Sequence, residues 1–211
     1  MWGWRRARGQ WSAEAGEVLR ETIERAVENH RLLDHAYARL ADALEQVKSL
    51  LGQGDGLPAD TVRARLATVQ PTLDHWPAAR ASFDRAVAAW RDPEGVAPEA
   101  VREAIETFAI RAEGAASLMD SVSGAAENLL GLRDKLLEIR ARLAPVRERA
   151  HAALTAARTE LVGLPLAAQL EAVEEQLHAL DAGRVEVEPN HRLTDAYRNL
   201  ELRLAELRGA P

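Results

Sequence analysis

The chain is expected to be all-α, an elongated antiparallel helical bundle or coiled coil, and three observations carry that expectation. From Leu118 to Leu161 apolar residues recur every three or four positions: Leu118, Val122, Ala125, Leu129, Leu132, Leu136, Ile139, Leu143, Val146, Ala150, Ala153, Ala157 and Leu161. Only a helix with a partner laid along it keeps one face apolar for so many turns. Hydrophobic residues make up 47% of the chain and aromatics only 4%, with Ala, Leu and Val dominant, which favours helix over strand. Glycine and proline gather in a few places, so they read as punctuation between helical segments.

The first helix is placed at about 12–51. Ser12 suits the N-cap, and Leu19, Ile23, Ala26, His30, Leu33, Tyr37, Leu40, Leu44, Val47 and Leu51 form its apolar stripe. Gly52, Gly54 and Gly56 end it. Pro58 suits the first turn of a second helix, about 58–91, with the stripe Val62, Leu66, Val69, Leu73, Trp76, Phe83, Val87 and Trp90. Arg80 is the missing beat. Pro71 and Pro77 predict a kink or short break around Thr72 to Trp76, because each removes a backbone donor and costs roughly 3 kcal/mol.

After Pro93 and Pro98 the stripe resumes at Val101, Ile105, Phe108, Ala112, Ala115, Met119 and Val122 and merges into the long seam. Pro145 is read as a bend in it. Continuous from Pro98 to Val162, this third helix would extend about 95 Å at 1.5 Å per residue. Gly163 and Pro165 stop it. A short helix at about 165–180 carries Leu166, Leu170, Val173, Leu177 and Leu180, and Asp181, Ala182 and Gly183 close it. The last helix, about 190–208, carries Leu193, Tyr197, Leu200, Leu204 and Leu207, with Asn190 as its cap.

Short connections make successive helices antiparallel. The expected organisation is two three-helix bundles sharing one long central helix. A Trp/Arg-rich segment occupies 1–11, a larger bundle 12–135 (12–51, 58–91 and 98–135), and a smaller one 136–208 (136–162, 165–180 and 190–208). Asn29-His30-Arg31-Leu32-Leu33-Asp34 is echoed by Asn190-His191-Arg192-Leu193-Thr194-Asp195, and both continue into Ala-Tyr-x-x-Leu, the first after one extra residue.

A formal net charge of −6 argues against nucleic acid as the main ligand. There are no cysteines, hence no disulfide or thiolate metal site. No window has the roughly 18–20 apolar residues of a membrane span, and the first residues lack the apolar core of a secretory signal, so a cytoplasmic location is expected. No phosphate-binding loop, dinucleotide fingerprint, nucleophile elbow or His-Glu-x-x-His occurs, so no cofactor is expected and classical enzyme classes find no footing.

The expected function is therefore a non-enzymatic interaction or scaffold role, with helical faces recognising another protein or a second copy, as in a homodimer. Two alternatives have residues to support them. Trp2, Trp4, Arg5, Arg6, Arg8 and Trp11 give a local basic, indole-rich end suited to a membrane surface or a protein hot spot. Glu148-x-x-His151 and Glu175-x-x-His178 repeat the spacing of ferritin-like carboxylate-bridged metal proteins. Both pairs flank their seams instead of occupying them, and a di-iron site needs further carboxylates from two other helices. His30 falls in a seam, where a polar residue fixes register or partner choice. A hydrogen-bonded core histidine is the expectation there, and a pH-sensitive switch the alternative. From Ala112 to Ala126 small residues prevail, which is read as close helix packing, with a hinge as the alternative.

Overall fold

The computed structural model describes residues 13–53, 56–91, 98–161, 166–183 and 190–209. The protein is all-α: these residues form five helices and no strand, namely α1 (Ala13–Leu51), α2 (Ala59–Arg91), α3 (Pro98–Glu160), α4 (Ala167–Asp181) and α5 (Asn190–Gly209). Each helix buries much of the stripe its sequence spacing marks out, while other stripe residues, among them Val69, Leu73, Trp90, Leu132 and Leu170, are half-buried. In α1, Ile23, Ala26, His30, Leu33, Tyr37, Leu40, Leu44 and Val47 are all buried. In α5, Leu193, Tyr197, Leu200 and Leu204 are.

Neither α2 nor the 63-residue α3 is interrupted at its prolines. Of the expected kink or short break around Thr72 to Trp76, the break is absent. Pro71, Pro77 and Pro145 all lie at exposed positions, on the solvent side where a helix tolerates lengthened or missing backbone bonds. On the opposite face Leu66, Trp76 and Phe83 are buried, and each large apolar side chain so removed from water contributes about 1.5–3 kcal/mol, enough to offset the prolines.

The long seam of α3 follows the expected rhythm with two slips. Ala126 is buried in place of Ala125, and Leu154 in place of Ala153. Steps of three and four are both allowed on a helix, and adjacent small or apolar residues leave the choice to the partner helix. The small-residue stretch is not explained by close packing at its glycines, since a Cβ built on Gly114 or Gly124 would meet nothing within 4 Å.

The chain divides into two compact units, Met1–Ala43 with Val69–Asn128, and Leu44–Thr68 with Leu129–Pro211. This partition differs from the expected bounds of 12–135 and 136–208. Residues 44–68 belong with the C-terminal part, for a reason visible in one turn: Gly56 N–H donates to the Asp181 carbonyl at 3.0 Å. Gly56 and Gly183 hold φ of +73° and +65°, and a Cβ on either would strike Tyr197 Oη or the Leu57 carbonyl, respectively. Both positions require glycine.

In the first unit, His30 meets Phe83 and Tyr37 meets Trp76, so α1 and α2 run antiparallel. Phe108 meets Phe83 and Trp90 while Arg111 reaches Trp76, so α2 and α3 do too. The unit is an up-down-up bundle around Ile23, Ala26, Phe83, Ala86, Ala104 and Phe108. In the second unit Arg147 meets Asp181 and Arg158 meets Glu174, which sets α3 antiparallel to α4. Tyr197 meets Asp181 and Arg203 meets Gln176, which sets α4 antiparallel to α5. Among the described residues no helix is long and apolar enough to cross a membrane.

Candidate functional site

Two buried polar clusters stand out, one in each unit. In the first, His30 is only 6% exposed, and its imidazole lies against Phe83 with ring centroids 4.0 Å apart and planes 14° apart. Trp76 stacks on it at 5.2 Å and Tyr37 stacks on Trp76 at 4.2 Å. Neither ring nitrogen of His30 finds a hydrogen-bond partner among the described residues. The expected hydrogen-bonded core histidine is thus corrected: the ring is held as an aromatic, by stacking on the Phe83 and Trp76 rings of α2.

Arg111 shares this aromatic nest. Its guanidinium carbon lies 5.4 Å from the Trp76 ring centroid and 5.8 Å from that of Phe83, and its Nε is buried without a partner among the described residues. Cation–π attraction is what holds the charge there. Asn29 donates to the carbonyls of Arg111 and Ala112, both at 3.2 Å, and so ties this turn of α3 to α1. Asp34 accepts from Trp76 Nε1 at 3.1 Å and pairs with Arg80 at 3.6 Å. Arg80, the missing beat of the α2 stripe, is thereby a bridge back to α1. Arg31, next to His30 in sequence, turns outward to Glu28 at 2.6 Å.

Burial, with the Arg111 charge second, pushes the His30 imidazole below its ordinary value of 6.5, while Asp34 and Asp84 pull the other way. Burial likewise lowers Arg111 and raises the Tyr37 phenol.

The second cluster centres on Asp181, whose side chain is 15% exposed. Its Oδ1 accepts from Arg147 Nε at 2.7 Å and from Tyr197 Oη at 2.8 Å, and its Oδ2 accepts from His151 Nε2 at 2.7 Å. With the Gly56 contact to its carbonyl, one residue at the end of α4 ties together α3, α5 and the α1–α2 turn. Burial raises the Asp181 carboxyl, but the Arg147 and Tyr197 hydrogen bonds and the Arg147 and His151 charges outweigh it, so the group sits below its ordinary 3.8.

The paired Glu-x-x-His motif is not brought together as a metal centre. His151 is engaged by Asp181, while Glu148, Glu175 and His178 are exposed, and no group of three or more metal-ligating side chains occurs among the described residues. Trp2, Trp4, Arg5, Arg6, Arg8, Trp11 and the Ser12 cap lie outside the described residues. The segments that continue the Asn29–Asp34 echo bury matching positions: Leu40 and Leu200 are both buried, and so are Tyr37 and Tyr197, the first against Trp76 and the second on an acidic acceptor.

Arg111 and Asp181 were both missed by the sequence reading. The signal for Arg111 was its position, three after Phe108 and four before Ala115, which is a seam site occupied by a charge. Compared with known proteins, the chain matches no family model, no curated protein and no solved structure.

Proposed function

We propose that the chain is a non-enzymatic helical interaction or scaffold protein, working in the cytoplasm, that engages another helical protein or a second copy of itself. The observation that supports this reading is an aliphatic strip beside the α1–α3 contact of the first unit. Val18, 63% exposed, and the also exposed Leu32 share the helical stripe of Asn29, lying eleven positions before and three after it. Asn29 reaches the carbonyls of Arg111 and Ala112, and the preceding residue, Ile110, is 72% exposed. Aliphatic side chains aligned along a helix, with Glu28 and Arg31 between them, are the elements of helix-in-groove recognition, apolar anchors for affinity and charges for choice of partner.

The test is sedimentation of the full chain over a range of micromolar concentrations, together with cross-linking in cell extract, for wild type and for a Leu32→Glu/Ile110→Glu double variant. The expected result is a self-association or a cross-linked protein that the double variant loses while keeping its helical circular dichroism. A partner retained by the variant, or no association in either assay, contradicts the reading.

A further inference from the structure

The first unit carries a buried base, His30, whose two ring nitrogens meet no hydrogen-bond partner among the described residues. His30 is enclosed by Phe83 and Trp76, and the charged groups around it come from all three helices: Asp34 from α1, Arg80 and Asp84 from α2, and Arg111 from α3, with the Tyr37 phenol on the far side of Trp76. Of the two acids, Asp34 is engaged by Trp76 Nε1 and Arg80. The π faces that could stabilise an imidazolium already hold the Arg111 guanidinium, so a second cation there meets a like charge in a site shielded from water.

We propose that the first unit is an acid-sensitive element, in which protonation of His30 against Arg111 opens the α1–α2–α3 packing while the unit keyed by Asp181 stays closed. The direction follows from linkage. A base held below 6.5 in the folded state takes its proton more readily when released. Its contribution to stability is therefore complete above that value and is lost as pH falls below it toward the folded-state value. Asp181 works in a separate window: its contribution is complete above 3.8 and is lost only as pH falls below that. Between the two windows the first unit is weakened and the second is not. Opening would uncover Leu33, Phe83 and Phe108, which are the apolar surface of an interaction seam.

The test uses the full chain. Histidine ring resonances are followed by NMR from pH 8 to pH 5, with His30 assigned by its loss in His30→Phe. In parallel, amide hydrogen exchange, corrected for intrinsic rates, is compared at pH 7.5 and 5.5. His30 is expected to titrate below 6.5. Opening of peptides within 19–43, 69–91 and 98–128 should rise by up to about tenfold for each pH unit below that value, the limit set by one proton, with peptides within 129–161 and 166–183 unchanged. In His30→Phe, which keeps the stack, the rise should vanish. If that variant does not fold, Arg111→Met should weaken the rise by removing the neighbouring cation. A His30 that titrates at 6.5 or above, an equal rise in both units, or a rise that persists without the imidazole would overturn the proposal.

Discussion

In the first unit an ionisable ring is buried against aromatic faces with no hydrogen-bond partner among the described residues, whereas in the second an ionised carboxylate is buried with a guanidinium, an imidazole and a phenol all donating to it. Both arrangements sit between helices that run the same up-down-up course. The difference lies in what each group asks of its surroundings. Neutral imidazole can be treated as an aromatic and packs as one, at the cost of two unsatisfied nitrogens. A carboxylate between helices has no such neutral disguise near pH 7, so its neighbours must supply donors. One unit is consequently weakened by the arrival of a proton at mild acidity and the other only in strong acid.

The largest effect expected from breaking this comparison is at Asp181. Asp181→Ala removes the acceptor that Arg147, His151 and Tyr197 share, and should lower stability by about 2–4 kcal/mol in urea unfolding, the figure being discounted because Arg147 and His151 are partly exposed. Gly183→Ala attacks the same junction through the backbone. A β-carbon at positive φ, pressed on the Leu57 carbonyl, should cost about 2–3 kcal/mol in the same assay. In the first unit the sign reverses. His30→Phe removes two buried polar atoms that have no partner among the described residues, and should raise stability by about 1–2 kcal/mol at pH 7.5, with a larger gain at pH 5.5. The smallest effect is a control that ignores the contrast: Gly114→Ala in the first unit and Gly131→Ala in the second each fill open space on α3, and each should stabilise by about 0.5–1 kcal/mol in thermal unfolding.

The helices and most of their buried faces were legible in the sequence because they depend on periodicity, and periodicity survives proline when proline lies on the outer face. The place of His30 in the α1 stripe was legible for the same reason. Its hydrogen bonding was not, because whether an acceptor or a ring waits across the interface depends on how α2 is registered against α1. Arg111 was passed over because Ala112 beside it fits an apolar stripe, while an arginine reads as solvated unless aromatic rings cover it. Asp181 was read as part of a closing turn. Its donors lie 34, 30 and 16 residues away, and no local pattern announces them. The exposed positions of Glu148, Glu175 and His178 follow from the places of those pairs beside their seams, yet the capture of His151 by Asp181 required the fold.

The contrast between the units can be read in one acid titration, because Trp76 and Trp90 report on the first unit and no tryptophan occurs in Leu44–Thr68 or Leu129–Pro211. The full chain, in urea just below its unfolding midpoint, is brought from pH 8 to pH 3 while tryptophan fluorescence and helical circular dichroism are recorded together. The account predicts two separated steps: a fluorescence change with partial loss of helix below pH 6.5, and loss of the remaining helix below pH 3.8. A single transition in which both signals coincide would contradict it.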